Sequence, residues 1–548
     1  MGGEAAQPAC CRKSQVHRGE KVRRRCCLSD WELPGAGVDA HWLLQWLRTS
    51  PEQVTHRTCP QTLCLQKMFW LFVLPLCTSG IQAEEVNAGL KVQVTQKGLE
   101  FGRQLGMQLV QSVRKKQFQD IEGSYNVPLL GNVQYSVSGI WVSKLQVNNS
   151  TIGFSKGAGV NLRIQDGQIG LNGNWKLAAS LGEDSGTADI NIRQLSLSAV
   201  LGIGSGDRGH PRLWCASCHS TIGDIDFKFS GRASWLYNMA ASVLKRSLQS
   251  EVNKHVCSEF KKGSAAVEKF LSAMNVSVWI DPIAELDCSI VNQPVISADS
   301  CKVDLKGEFF RIGQLRASPL VPAPFLLPDR PDSMLLLGIS EFVANSAAFV
   351  YFTAGALQAN YTDKEIPKNF PFRLNTKSVG LLLPELKQLF PDMPMKVCIA
   401  ARKRPVLSFH PGGVDATVFA SVEAFVVLPN ASLASVFLLN IDGNFTGQFL
   451  LEPGRLGNSV GRAGGSLALK DFHLSQQQSS IGKIQTTFLE KVLKVVLQLT
   501  LTRVNRRLKK GLALPNVYNV SLVHPTVTMS QGFMLIATDL NSHPQGAI

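Results

Sequence analysis

The sequence predicts an α+β protein with two similar halves, each of which joins a twisted antiparallel sheet to long amphipathic helices. In the stretch from Cys218 to Cys257, apolar and polar residues first alternate and then, after Gly231, recur at helical spacing. A second helical pattern over 484–510 again follows a series of alternating segments. Between the two series lies 317–331, whose five prolines exclude a regular helix and indicate an extended linker.

The first half opens with an alternating segment at Leu90 that leads into an amphipathic helix. Gly, Asn and Asp separate the alternating segments between Val133 and Leu197 at hairpin spacing, which predicts an antiparallel meander. The strand and helix between Cys218 and Cys257 end this meander. An ordinary core helix is the alternative to a helix with a ligand-binding face in that stretch.

Six cysteines follow Ala83. A bridge between Cys218 and Cys257 would close a loop of 39 residues and tie the long helix to its strand. Chain-entropy models give roughly 3–4 kcal/mol of stabilisation for such a loop. Cys288 and Cys301 flank a predicted turn and form our second predicted bridge. The remaining two have no evident partner: Cys215 and Cys398.

A short apolar run over 69–77 follows Met68 and suits a signal peptide that ends at Ala83. We therefore expect 1–67 to be a disordered upstream extension, 68–83 a signal peptide, and the mature chain to be secreted. The mature chain is predicted to contain domains over 84–316 and 332–548, joined by the linker. Seven Asn-x-Ser/Thr triplets agree with an extracellular glycoprotein; they begin at Asn148, Asn149, Asn275, Asn360, Asn430, Asn444 and Asn519.

The formal net charge is +15, and without the first 83 residues it is +11. This favours anionic partners such as phospholipid, lipopolysaccharide or a heparin-like polymer. The basic residues are scattered and no recognition motif accompanies them, so we expect no nucleic-acid partner. The run Arg114-Lys115-Lys116 at the end of the first helix either compensates the helix dipole or contacts lipid headgroups.

Two enzyme signatures are interpreted as accidental. Gly153–Gly157 fits G-x-S-x-G, but strand-like sequence follows where a nucleophile elbow requires a helix. Gly204–Gly209 fits G-x-G-x-x-G, but His-Pro follows where a helix must begin to bind a pyrophosphate. The histidines show no ligand spacing. We therefore predict no catalytic residues, no metal and no cofactor, and hence no enzyme.

Nine segments, in order along 86–540, resemble the family of bactericidal/permeability-increasing protein and lipopolysaccharide-binding protein. They are Val86–Gly89, Thr95–Leu99, Gly173–Lys176, Cys215–Cys218, Leu305–Phe309, Phe372–Lys377, Val427–Ser435, Arg503–Asn505 and Lys510–Pro515. The resemblance implies an elongated boomerang of two pseudo-symmetric tubular lipid-binding domains, each a barrel with long helices, joined by a central sheet. It also implies a family disulfide at Cys218 and Cys257.

In that family each half holds a phospholipid in an apolar pocket between helices and sheet. The resemblance therefore implies lipid-binding positions on the apolar helix faces: Phe101, Leu105, Leu109, Trp235, Met239, Phe488, Val492 and Val496. Anionic headgroups would meet Arg114, Lys115, Lys116 and Lys176. The chain departs from the endotoxin binders where their hairpin tips are rich in Lys and Arg, because here Glu183 and Asp184 follow Lys176.

The resemblance implies a secreted monomer that binds lipopolysaccharide or another anionic lipid, such as a phospholipid, in innate antibacterial defence. Its partners would be these lipids at a bacterial outer-membrane or lipoprotein surface. The poorly charged tip favours the alternative, a phospholipid or sterol-ester transfer protein without an endotoxin role. A lipid hydrolase is the third class considered, and we expect Ser155 to support no esterase activity.

Overall fold

The computed structural model describes residues 86–112, 120–127, 131–147, 149–179, 182–231, 234–313, 318–366, 368, 372–452, 462–484, 486–513 and 520–542. For some helix and strand residues in these ranges it describes the backbone alone. The predicted leader, 1–67 and 68–83, lies outside the described residues. None of the described helices contains an apolar stretch long enough to cross a membrane.

The first sheet is a meander of long antiparallel strands in the order β2-β3-β5-β6-β7, with β4 paired to β5. These strands are β2 (Ile121–Val127), β3 (Gly131–Gln146), β4 (Asn149–Ser155), β5 (Gly159–Ala179), β6 (Gly182–Ser205) and β7 (Pro211–Ser230). Two helices accompany the sheet: α1 (Gln96–Ser112) precedes it and α2 (Ser234–Ala273) follows it. The predicted meander and its terminal helix are thereby confirmed.

A six-stranded sheet contains strands from both halves of the sequence, in the order β10-β11-β1-β13-β22-β21. Its members are β1 (Leu90–Thr95), β10 (Val295–Ile296), β11 (Ser300–Leu305), β13 (Leu335–Ser340), β21 (Val520–Ser530) and β22 (Phe533–Ser542). Strand β1 lies between β11 and β13, so Leu90 is opposite both Leu305 and Ile339. This arrangement is the central sheet that the resemblance implied.

A small sheet lies beside the central sheet in the order β12-β9-β8. Its strands are β8 (Ser277–Trp279), β9 (Ala284–Asp287) and β12 (Glu308–Arg311). Helix α3 (Glu341–Thr353) packs on it, with Val343 and Val350 in one buried cluster with Phe309.

The second half forms a seven-stranded sheet in the order β14-β15-β17-β18-β19-β20, with β16 paired to β17. The strands are β14 (Gln358–Tyr361), β15 (Met395–Ala401), β16 (Val406–His410), β17 (Gly413–Val427), β18 (Leu433–Glu452), β19 (Arg462–Ser479) and β20 (Leu512–Ala513). Its helices are α4 (Thr376–Val379), α5 (Pro384–Leu389) and α6 (Thr486–Lys510). The helix predicted over 484–510 is thus confirmed as α6.

The described part of the proline-rich segment, 318–331, is irregular and packs on the central sheet. The Phe325 ring stacks on Phe533 at 4.9 Å, and Leu327 contacts the buried cluster formed by β13 and β22. Gly338 permits this approach, because a Cβ at that position would lie 2.4 Å from the Leu327 side chain.

The second predicted disulfide is wrong, since Cys288 and Cys301 are both free thiols. Strand pairing explains the error. The pairs Asp287–Glu308 and Ile290–Leu305 place Cys288 opposite Gly307, six residues further along the chain than Cys301. Six strand residues span about 20 Å, whereas a disulfide needs its Cα atoms within about 7 Å. Burial instead raises the pKa of each thiol to about 11.

Candidate lipid-binding site

One face of the first sheet is apolar across four neighbouring strands. Strand register aligns the apolar side chains in rows, of which two are Val142–Leu171–Ile190–Phe227 and Leu145–Ile169–Ile192–Ile225. The alternate residues form a polar opposite face. On that face Asn172 donates to Asp189 at 2.7 Å, and Arg193 pairs with Asp224 at 3.3 Å. The alternating sequence pattern therefore gives the sheet one apolar face and one polar face.

Helix α2 lies antiparallel to β7 over the apolar face. Gln249 donates to the Gly223 carbonyl at 3.2 Å, and the Ser220 hydroxyl donates to the Asn253 carbonyl at 2.9 Å. The predicted Cys218–Cys257 disulfide follows and is confirmed. Each step of four helix residues covers about 6 Å, nearly the length of two strand residues, so the contacts repeat along the helix.

Helix α1 lies over the same face but along β4. Gln96 donates to the Ile152 carbonyl at 2.8 Å, and Arg103 donates to the Ser150 hydroxyl at 2.5 Å. Ser150 is opposite Ile164, so its side chain belongs to the apolar face. Strands β5 and β6 therefore lie between the strands that carry α1 and α2. We call the apolar rows between the two helices the lipid trough.

The trough is incompletely packed. Its centre is a cluster of four buried side chains: Ile192, Leu195, Ile222 and Ile225. Around it are apolar side chains that are only half-buried: Ile169, Leu171, Ile190, Phe227 and Val256. Phe101 and Leu105 of α1 are half-buried as well. Half-buried apolar side chains on a concave face are the surface that an acyl chain would cover.

The second half is packed differently. Leu489, Leu493 and Leu497 of α6 are 3%, 4% and 7% exposed and belong to one large cluster with the inner face of the sheet. That cluster contains buried residues from five strands: Tyr361, Ile399, Val422, Leu439 and Leu474 are examples. The apolar face of α6 is therefore occupied by protein at these positions.

Few of the predicted site residues have described side chains. Phe101 and Leu105 lie on α1 and are half-buried, as stated above. The side chains of the other apolar candidates lie outside the described residues: Leu109, Trp235, Met239, Phe488, Val492 and Val496. The same holds for Arg114, Lys115 and Lys116.

Lys176 lies near the β5–β6 hairpin, and its ammonium group is 2.9 Å from the Glu183 carboxylate. Both side chains are largely exposed, at 59% and 64%. An exposed pair of this kind contributes little to stability, between about 0 and 1 kcal/mol. It does, however, neutralise the one predicted headgroup cation whose side chain is described.

A polar pocket of about 590 Å³ lies between the C-terminal turns of α2 and the β6–β7 connection. Its lining includes Arg208, His210, Arg212, Glu268 and Lys269. Arg212 pairs with Glu268 at 2.7 Å, while the buried Nδ1 of His210 has no hydrogen-bond partner among the described residues. The sequence analysis missed this pocket because it did not follow α2 past Cys257, although Ala265, Glu268, Lys269 and Ser272 recur at helical spacing.

The two enzyme-like motifs fall in hairpins. Ser155 ends β4 and a turn leads into β5, so a strand follows where a nucleophile elbow needs a helix. Gly204–Gly209 closes the β6–β7 connection through a short 3₁₀ helix, Asp207–Gly209, and β7 follows. The strand predicted after the first motif is confirmed, and a strand also follows the second motif.

Of the predicted glycosylation sites, five have exposed asparagines: Asn149, Asn275, Asn360, Asn430 and Asn444. Asn148 and Asn519 lie outside the described residues. Cys215 is a free thiol, and Cys398 is disulfide-bonded.

Comparison with known proteins places these features in context. The model of the N-terminal domain of the LBP/BPI/CETP family matches 98–274, and the C-terminal domain model matches 279–542. A bactericidal permeability-increasing protein from Sebastes schlegelii is 33% identical over 474 residues, which is 86% of this chain and 98% of that protein. Human lipopolysaccharide-binding protein is 27% identical over 85% of this chain and 96% of its own length.

A crystal structure of lipopolysaccharide binding protein shares the fold. It aligns with a TM-score of 0.55 at 23% identity, over 84% of this chain and 100% of that chain. The α+β architecture predicted above is therefore confirmed.

Proposed function

We propose a lipid-carrying function for this chain because it belongs to the LBP/BPI/CETP family, whose members are lipid-binding or lipid-transfer proteins and not enzymes. The proposal is a secreted monomer that binds lipopolysaccharide or another anionic lipid, such as a phospholipid, in innate antibacterial defence. The half-buried apolar rows of the trough are the observation that carries it.

The trough offers a place for acyl chains and little for a headgroup. Burial of hydrocarbon contributes roughly 0.8 kcal/mol per CH₂, so even ten methylenes would provide about 8 kcal/mol before the cost of ordering the chain. This gain in free energy depends on the fit of the acyl chain in the trough and on the exclusion of water, and it does not depend on the charge of the headgroup. Lipid carriage is therefore the best supported part of the proposal.

The endotoxin part depends on cations at the hairpin tip. Lys176 is paired with Glu183, so an arriving phosphate would have to displace a carboxylate. This pair favours the second candidate, a protein that transfers phospholipid or sterol ester between particles. Acceleration of fluorescent-phospholipid exchange between neutral vesicles, without lipid A binding at low salt, would select the transfer function.

The decisive experiment is lipid extraction from the secreted protein, followed by mass spectrometry. We expect near-stoichiometric phospholipid in the wild-type protein and several-fold less in Ile190→Trp, because the indole would fill space among the half-buried side chains around the centre of the trough. Asn191→Trp is the matched control, since its side chain lies on the opposite, exposed face of the same strand. Equal lipid content in the two variants would refute the trough as the carrier site.

A further inference from the structure

The last two turns of α6 carry cations that play no part in the trough. We propose that Arg506, Lys509 and Lys510 form an attachment site for the surface of an anionic phospholipid bilayer. We call these three residues the α6 basic patch. The inference concerns the second half of the chain and stands independently of lipid carriage by the first.

The patch differs from the cations beside it. The Arg503 guanidinium lies over the Tyr361 ring at 4.8 Å. Burial and the hydrogen bond to Asp281 raise the pKa of Tyr351, and the nearby positive charge of Arg507 opposes this increase. Arg503 and Arg507 are exposed too, but the three patch residues have neither an aromatic contact nor an ion pair with any described residue.

Capping of the helix end does not account for the patch. Cations often occur in a last turn because they interact with unpaired carbonyls and with the helix dipole. Here Arg462 of β19 donates to the carbonyls of Lys510 and Gly511, and the Gly511 amide donates to the Leu508 carbonyl at 3.1 Å. The cap therefore comes from another strand, and it adds a fourth positive charge beside the patch.

The position of the patch suits a flat anionic surface. Leu489, Leu493 and Leu497 face the core. Helical spacing places Arg506 and Lys509 on the opposite side of α6 and Lys510 at its flank. With Thr502 and Asn505 the patch lines an open pocket of about 550 Å³ that contains no carboxylate. Asn505 holds this part of the helix on β19, since its amide donates to the Leu467 carbonyl at 2.8 Å and its carbonyl accepts from the Leu467 amide at 2.8 Å.

A bilayer fits this arrangement better than a nucleic acid or a single small anion. The cations are displayed along an exposed helix side, and a bilayer presents phosphates over the whole of such a span. Attraction of each cation to an anionic leaflet changes affinity roughly fivefold. Loss of all three should therefore weaken binding roughly a hundredfold at low salt, and the difference should shrink as salt screens it.

The test is co-sedimentation of the full secreted chain with vesicles of phosphatidylcholine containing phosphatidylglycerol, and with phosphatidylcholine alone. We expect the triple variant Arg506→Gln/Lys509→Gln/Lys510→Gln to lose binding to the anionic vesicles. The matched control removes three exposed lysines elsewhere in the same half: Lys377→Gln/Lys387→Gln/Lys470→Gln. It changes the net charge equally and should retain most of the binding.

Equal losses in the two triple variants would overturn the proposal, because net charge alone would then explain binding. So would unchanged vesicle binding by the patch variant. Loss of retention on heparin with intact vesicle binding would reassign the patch to a sulfated polysaccharide. Extracted lipid content is measured in parallel, since it reports on the trough and should be the same in the patch variant and the wild type.

Discussion

The bond between Cys218 and Cys257 should account for much of the stability of the first half. Its loop of 39 residues gives a chain-entropy stabilisation of about 4 kcal/mol. For a domain of this size each kcal/mol corresponds to roughly 2–4 °C, so Cys218→Ser/Cys257→Ser should lower the first-half transition by roughly 8–16 °C. The contacts of Asn253 and Gln249 with β7 remain, at roughly 1 kcal/mol each, and should keep α2 in place at low temperature.

Differential scanning calorimetry of the purified protein measures the shift, and hydrogen exchange over 234–273 locates it. Cys215→Ser is the control, because Cys215 lies on the same strand and is a free thiol. It should change the free energy of unfolding by no more than about a few tenths of a kcal/mol, which corresponds to a shift of about 1 °C in the transition temperature. The reasoning fails if the double variant loses less than about 1 kcal/mol, or if the control loses as much as the double variant.

Three further outcomes follow from single contacts. Glu183→Gln should free Lys176 and strengthen lipid A binding roughly fivefold at low salt, measured by fluorescence displacement; no change would remove this tip from headgroup recognition. Gly338→Val should destabilise the fold by roughly 1–3 kcal/mol in urea unfolding, because its side chain would overlap Leu327; Gly338→Ala, which adds only the Cβ, should cost less. The Cys301 thiol, whose pKa burial raises to about 11, should be alkylated at pH 8 far more slowly in the folded protein than in guanidinium. Equal rates would show that burial does not protect it.

Local sequence patterns predicted the helices whose apolar periodicity lies within the helix itself. The change of period after Gly231 located α2, and the same reasoning located α6, because each helix has a long apolar face. The end of α2 was harder to predict. Beyond Cys257 most residues of the helix are exposed and need not be apolar. The sequence of this part therefore has little apolar periodicity to detect.

Long-range pairing could not be predicted in the same way. Leu90 is opposite Leu305 on one side and Ile339 on the other. No local sequence pattern indicates that residues so far apart in the chain pair with each other. The error at Cys288 and Cys301 has this origin, because proximity in sequence was taken for proximity in space. The trough was predicted only as apolar helix faces, since its floor depends on the register among four strands.

The two halves are alike in sequence pattern, yet their packing argues against equivalent function. In the second half Leu489, Leu493 and Leu497 of α6 fill the concave face of the sheet, so the helix itself occupies the space that a ligand would need at these positions. In the first half α1 and α2 are held along β4 and β7 by side-chain contacts and one disulfide, and the apolar rows between them are buried at the centre and half-buried around it. A duplicated fold can therefore retain a ligand site in one copy and replace it with a core in the other. If this is correct, extracted lipid should fall with substitutions in the trough and should be insensitive to Leu493→Met, which keeps the core volume. A loss of lipid in Leu493→Met without a loss of stability would show that the second half carries ligand too.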